Sequence, residues 1–163
     1  MTPVIRAAVF SDTHTGIGLM LDAVRAYHPD VILHLGDHDR DTDILKTEFP
    51  DIPVHVVCGN CDFGRDTPLE KVVALGPVKA FLCHGHSYNV GWGDVSRLVY
   101  AAQEQGCRLA LYGHTHIPDR QEIGGVQVLN PGTAGKGVHL SWAKVEVYEN
   151  GGIACEIVEK RVI

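Results

Sequence analysis

The sequence predicts an α/β fold, a two-sheet αββα sandwich of mixed, largely parallel strands with helices on its outer faces. Three observations lead there. The first half alternates short β-branched apolar runs with segments of helical periodicity, the second half is rich in hairpin signals, and five apolar runs stop on residues able to bind a metal ion. Open α/β sheets gather ligands beyond the carboxyl ends of their strands, so five such endings describe one functional edge. The length of 163 residues suits one domain, and residues 1–163 are read as a single unit.

The elements follow in order. Residues 3–10 form a first strand. Ile17, Met20, Leu21, Val24 and Tyr27 mark one helical face, closed by His28-Pro29 because proline disfavours helical backbone in the residue before it. Residues 31–35 form a second strand, Thr42 to Phe49 a short helix stopped by Pro50, and residues 53–58 a third strand. This β-α-β-α-β order implies right-handed crossovers and parallel pairing. In the second half, residues 70–75 and 78–83 flank Gly76-Pro77 as adjacent strands. Asp94 caps a helix whose buried face is Val95, Leu98, Val99 and Ala102, ending at Gly106. A strand at 109–112 follows. Gly124-Gly125 then joins two short strands, and Asn150-Gly151 joins 139–148 to 153–160.

Composition excludes several classes. No apolar stretch approaches the roughly 20 residues needed to cross a bilayer, so no membrane partner is expected. The opening segment leads straight into a strand without a leader pattern, and a cytoplasmic location is the expectation. A net charge of −6 argues against an extended nucleic-acid surface. The five cysteines are an odd number, expected as reduced thiols. Cys58-Gly-Asn-Cys61 has the C-x-x-C spacing, but it lacks the second pair of a zinc ribbon and the helix start of a thioredoxin-like motif.

The donors are Asp12 and His14 after the first strand, Asp37 after the second, Asn60 after the third, His84 after 78–83, and His114 and His116 after 109–112. Asp12/His14 and His114/His116 share the spacing i, i+2, which in extended backbone projects both side chains from one face. Gly36, Gly59 and Gly85 lie beside Asp37, Asn60 and His84, leaving room for close approach. A lone Asp after a strand is usually a cap or turn former. His34 and His55 lie inside strands, and His28 and His139 lack partners, so these four are read as structural. Two paired donors and three more at matching strand ends are hard to attribute to chance, and they define a polynuclear metal centre.

Ser11-Asp12-Thr13-His14, Gly36-Asp37, Gly59-Asn60-Cys61-Asp62, His84-Gly85-His86 and Gly113-His114-Thr115-His116 resemble, in order, the signature blocks of the calcineurin-like metallophosphoesterases. The short chain, the GNCD block and Asn130-Pro131-Gly132-Thr133 resemble the small bacterial and archaeal phosphodiesterase branch, the YfcE type. The resemblance implies two divalent ions. One would take Asp12, His14, Asp37 and His116, the other Asp37, Asn60, His84 and His114, with Asp37 bridging. Mixed imidazole, carboxylate and amide donors suit Mn²⁺, Fe²⁺, Zn²⁺ or Ni²⁺, and the resemblance favours Mn²⁺. Two ions and two carboxylates leave a charge of about +2, attractive to phosphate.

The implied activity is hydrolysis of a small-molecule phosphodiester by a hydroxide held between the ions. The implied catalytic set is Cys61, Asp62 and His86. Cys61 stands where larger family members carry a histidine that protonates the leaving group. A neutral thiol can donate but is a weak acid, so leaving groups of low pKa are expected. His86 is the alternative donor, with a packing or substrate-contact role equally open to it, and Asp62 orients its neighbours. Tyr88 and Trp92 suit stacking on a nucleoside or closing the core, with the core favoured. Arg40 and Arg65 are placed to hold a phosphate oxygen. The alternatives are a phosphomonoesterase and a non-catalytic, metal-binding scaffold like the retromer subunit that resembles this branch. The oligomeric state is open, a homo-oligomer included.

Overall fold

A computed structural model of the protein describes residues 1–64 and 66–161. Its strands form two five-stranded sheets with the orders β10-β9-β1-β2-β3 and β4-β5-β6-β8-β7. The first sheet contains β1 (Ile5–Phe10), β2 (Val31–His34), β3 (Val54–Val56), β9 (His139–Val147) and β10 (Ile153–Arg161). The second contains β4 (Glu70–Leu75), β5 (Val78–Cys83), β6 (Leu109–Leu111), β7 (Asp119–Ile123) and β8 (Val126–Asn130).

Strict alternation along the strands builds three apolar layers. Ala7 and Val9 of β1, Leu33 of β2, Leu82 of β5, Leu111 of β6 and Val145 of β9 meet in the core between the sheets. The intervening residues Ala8, Phe10, Ile32 and Trp142 point outward. There they meet Met20, Val24 and Tyr27 of α1 (Gly18–Tyr27) and Leu45 of α2 (Thr42–Glu48). On the opposite side, Phe81, Ala110 and Val128 pack on Leu98, Val99 and Ala102 of α3 (Ser96–Glu104). Helix, sheet, sheet and helix stack in the expected order.

Parallel pairing joins β1 to β2, β2 to β3, β5 to β6 and β6 to β8. The antiparallel pairs are β1 with β9, β9 with β10, β4 with β5, and β7 with β8. Parallel pairs are therefore half of the eight, fewer than a largely parallel arrangement would have. All five donor-bearing strands are among the parallel ones, which is what aligns their carboxyl ends.

Local chemistry sets the boundaries. His28 closes α1 in the left-handed conformation, its N–H donating to the Val24 carbonyl, with Pro29 next. Asp94 accepts the Ser96 N–H at 2.9 Å just ahead of α3, but the N-cap is Val95, one residue later than expected, and no side chain caps it. Tyr88 packs edge-on against Phe81 and donates its hydroxyl to Glu70. Trp92 does not close the core: it is 89% exposed, on a 3-10 turn at Val90–Trp92. Arg65 lies outside the described residues.

His34, the last residue of β2, is fully buried beneath the functional edge. Its Nδ1 accepts the Gly36 N–H at 3.1 Å, so Nε2–H donates to Thr13 Oγ1, also at 3.1 Å. Burial pushes the His34 pKa down to about 4 from an ordinary 6.5. The folded protein thus resists a proton that the unfolded chain accepts. Its contribution to stability is complete above pH 6.5 and is lost as the pH falls towards 4, by on the order of 3 kcal/mol. Denaturant unfolding across that window should show the wild type losing more stability than His34→Gln, whose amide keeps a donor and an acceptor without titrating. Parallel losses would contradict this role.

Candidate metal centre

The loops that follow β1, β2, β3, β5 and β6 converge at one edge and bind each other directly. Asp12 N–H donates to the Gly36 carbonyl at 2.9 Å, and Gly113 N–H to the His84 carbonyl at 2.9 Å. The two sheets are joined by His114 N–H donating to Asp12 Oδ2 at 3.0 Å. They are joined again by His84 Nδ1–H donating to the Leu35 carbonyl at 2.8 Å. These contacts leave two buried carboxylates, Asp12 and Asp37, facing a ring of imidazoles.

Donor atoms of Asp12, His14, Asp37 and His116 all lie within 4.8 Å of one another. His116 Nε2 is 3.1 Å from Asp12 Oδ1, and His14 Nε2 is 3.6 Å from Asp37 Oδ2. His84 Nε2 approaches both carboxylates, at 3.4 Å from Asp37 Oδ2 and 3.7 Å from Asp12 Oδ1. Beyond it, His114 Nδ1 and Asn60 Oδ1 stand 3.1 Å apart. The residues grouped by the sequence are thus brought together.

Three of these atoms, Asp12 Oδ1, His14 Nε2 and His84 Nε2, are buried without a hydrogen-bond partner. Buried polar atoms are nearly always satisfied, and unpaired buried charge is expensive. Orphan lone pairs of oxygen and nitrogen aimed at one place suit a divalent cation. His84 is already set for it, since donation from Nδ1 to a backbone carbonyl leaves the Nε2 lone pair facing the carboxylates. Burial opposes charge on Asp37, but the His84 imidazole and the Cys61 N–H outweigh it and hold its carboxyl well below the usual range. Burial also disfavours a proton on His84, yet Asp37 and Asp12 overcome it and raise its pKa. On the more open His14, burial prevails and lowers the pKa.

The geometry that presents the donors differs from the expected one. Asp12, His14, Asp37, His114 and His116 all have positive φ, between 45° and 71°, so the i, i+2 pairs are not extended. Each donor instead turns off its strand through left-handed backbone, a conformation costly for residues with a Cβ and concentrated at functional sites. Glycine permits the close packing at two points. A Cβ on Gly59 would lie 2.2 Å from Asp37 Oδ1, and one on Gly113 would lie 2.0 Å from Ser11 Oγ.

Several braces hold this arrangement. The Asp62 carboxylate accepts four backbone N–H groups, those of Asp37, His38, Asp39 and Gly59, at 2.7 to 3.0 Å. Its oxygens are committed to the loops, which makes Asp62 a positioning residue rather than one that meets substrate. Buried Asn130 donates to the Gly113 carbonyl and to Thr115 Oγ1 and accepts the Gly132 N–H. Thr133 Oγ1 donates to the Asp12 carbonyl at 2.9 Å. The Asn130–Thr133 block is conspicuous in the sequence, but nothing there announces this bracing task.

Of the remaining site residues, Cys61 is exposed, and its N–H donates to Asp37 Oδ1 at 2.9 Å. Burial and the Asp37 charge both raise its thiol pKa. The His86 ring lies 5.5 Å from His84 and 6.4 Å from His114, its pKa lowered by burial and by both neighbours. Lys136 was overlooked, since a lysine between glycines reads as ordinary surface. Its loop is tied to the Asp12 loop by Ala134 N–H donating to the Ser11 carbonyl, and its charge acts on both His14 and Cys61.

Fold and site together define a metallophosphoesterase. The chain belongs to the calcineurin-like phosphoesterase superfamily, whose domain matches residues 5–149. It is 31% identical over 129 residues to the probable metallophosphoesterase YsnB of Bacillus subtilis (strain 168), covering 77% of this chain and 72% of that protein. Among solved structures, it resembles wild-type Vps29 of Entamoeba histolytica complexed with Zn²⁺, at 25% identity and TM-score 0.75, covering 95% of this chain and 99% of that one. A novel archaeal phosphodiesterase, 20% identical with TM-score 0.70, shares the fold over 94% of this chain and all of its own. Among the described residues, no helix is long and apolar enough to cross a membrane.

Removal of the Asp62 brace should be felt by a metal it never touches. Asp62→Ala is expected to weaken binding of Mn²⁺ or Zn²⁺ by about 10–100-fold in calorimetric titration. Unchanged affinity would contradict the bracing role.

Proposed function

We propose that this protein is a manganese-dependent phosphodiesterase that works with two ions and acts on small-molecule diesters. The observation that carries the reading is the position of Asp37. Its Oδ2 approaches His14 Nε2 at 3.6 Å and His84 Nε2 at 3.4 Å, which supports a carboxylate shared between one ion held by Asp12, His14 and His116 and another held by His84, Asn60 and His114. When bound, the two ions would lower the pKa of water and stabilise negative charge on the phosphoryl oxygens.

The chain supplies the remainder. The Cys61 N–H and the Asp62-braced loop fix Asp37, while the Leu35 carbonyl fixes the His84 tautomer. Cys61, exposed and with its N–H bonded to Asp37, serves as the donor to the leaving group, its thiol pKa raised by burial and by the Asp37 charge. A thiol with a raised pKa donates weakly, which suits leaving groups that need little help. His86, with its depressed pKa, holds a proton poorly at neutral pH and is the weaker candidate.

Diester preference follows from charge. Among the described residues, Lys136, whose charge acts on His14, and Arg40, which lines a pocket with Cys61, are the cations placed near the centre, without the dense basic cluster that a dianionic monoester calls for. A small diester is also the expected partner on account of the net charge of −6, which disfavours a long nucleic-acid track. The zinc-bound Vps29 gives a specific reason to keep a second reading, a metal-binding scaffold without turnover. A cytoplasmic setting is proposed with either.

Turnover separates them. With Mn²⁺, the protein is expected to cleave bis(p-nitrophenyl) phosphate faster than p-nitrophenyl phosphate, and Asp37→Asn to lower kcat/KM by on the order of 100-fold or more. No turnover in metal-saturated protein would favour the scaffold. Cys61→Ser should slow alkyl leaving groups by roughly 100-fold while sparing p-nitrophenolate, because general acid catalysis matters only where the leaving group is basic. Equal effects on both would remove Cys61 from the acid role.

A further inference from the structure

His114 has two faces. Its Nδ1 edge meets Asn60 in the metal centre, whereas its Cδ2–Nε2 edge looks towards Gly91. On that second side a cleft of about 360 Å³ opens between the 90–95 segment and residues 112–121. Its size falls in the range of small-molecule sites. The walls are apolar, from Val90, Val95 and Ile117, and Ile117 is 67% exposed.

The polar groups at the Asp119 end of the cleft share one character. Tyr112 OH donates to Asp119 Oδ2 at 3.3 Å, and Gln121 Nε2 donates to the same oxygen at 2.8 Å. With those donors turned inward, Asp119 and Gln121 offer oxygen acceptors to an incoming molecule. A carboxylate repels anions, so the cleft rejects a second phosphate and selects N–H or O–H donors. Trp92 does not itself line the cleft, but it stands in the chain between the lining glycines 91 and 93, a large flat ring left in solvent. An exposed indole beside a ligand cleft is a stacking surface.

We infer that this cleft is the subsite for one ester arm of the substrate, and that it takes an uncharged, flat heterocycle bearing an amino group, of which adenine is the simplest case. The inference deepens the phosphodiesterase reading and rests on it for the chemistry at phosphorus. Gly91 is the gate between subsite and metal centre. A Cβ there would lie 3.7 Å from the His114 ring, and its backbone is outside the left-handed region. A longer side chain can therefore replace it without backbone strain and would plug the passage.

Two chromogenic diesters with the same leaving group test this in the manganese-loaded full chain: the p-nitrophenyl ester of adenosine 5′-monophosphate and methyl p-nitrophenyl phosphate. The adenosine ester is expected to have a kcat/KM at least about tenfold higher, the gain that stacking on one aromatic ring brings. That ratio should fall towards one in Trp92→Ala, in Gln121→Ala and in Gly91→Leu. A ratio near one in the wild type, or a high ratio that survives all three changes, overturns the subsite. Fluorescence gives a readout free of turnover. The other tryptophan, Trp142, is buried, so quenching by adenosine monophosphate reports on Trp92. Quenching should need about tenfold less adenosine monophosphate than ribose 5-phosphate, and Gln121→Ala should abolish that difference. If neither ester is cleaved, the phosphodiesterase reading fails, and the quenching alone judges the cleft: equal response to both ligands overturns it.

Discussion

Two carboxylates buried side by side, Asp12 and Asp37, set the terms for the rest of this molecule. Taking anions out of water costs several kcal/mol each unless a partner compensates. The surrounding imidazoles compensate only in part, since Asp12 Oδ1, His14 Nε2 and His84 Nε2 have no hydrogen bond. The site is built to be completed by cations. Around it, backbone that would relax in isolation is held in place. Five donors sit in left-handed conformations, each at a cost of about 1–3 kcal/mol. Asp62, His34, Asn130 and Thr133 supply the hydrogen bonds that keep them there.

The fold explains why so many loops can share so small a space. Parallel pairing within each sheet points the ends of β1, β2 and β3, and of β5 and β6, to one edge. The continuous apolar layer between the sheets fixes the separation of the two loop sets. Chemistry is then placed on short loops held by rigid elements, which favours precision over adaptability. The exposed apolar groups Phe63, Trp92, Ile117 and Val138 lie in loops that flank the donors or follow them in sequence. Core and rim thus divide the work: one positions metal ligands, and the other is free to select what approaches them.

Much of this was legible in the residues. Short apolar runs and turn signals placed the strands within one or two positions, as for 78–83 and 153–160, because a strand covered on both faces, such as 78–83, is apolar almost throughout. The donors were legible because each lies within a few residues of a strand end. The ways they converge were not. A D-x-H or H-x-H pair looks extended in sequence, and only tertiary contacts force it into left-handed turns. Asp62 and Asn130 were recognisable as parts of conspicuous blocks, but which backbone N–H groups they meet depends on loops from distant segments. Trp92 was misjudged because an aromatic residue before a helix normally caps a core, whereas here Val90 and Val95 fill that position. Lys136 carried no signal at all, since its meaning comes from the Ala134 contact with the Ser11 loop.

The central claim is that these side chains form a two-cation centre with Asp37 between the ions. Anomalous diffraction at the manganese edge, from crystals equilibrated with saturating Mn²⁺, tests it most directly. The account predicts two peaks flanking Asp37, one among Asp12, His14 and His116 and one among Asn60, His84 and His114. A single peak under saturation, or metal bound away from Asp37, would contradict it.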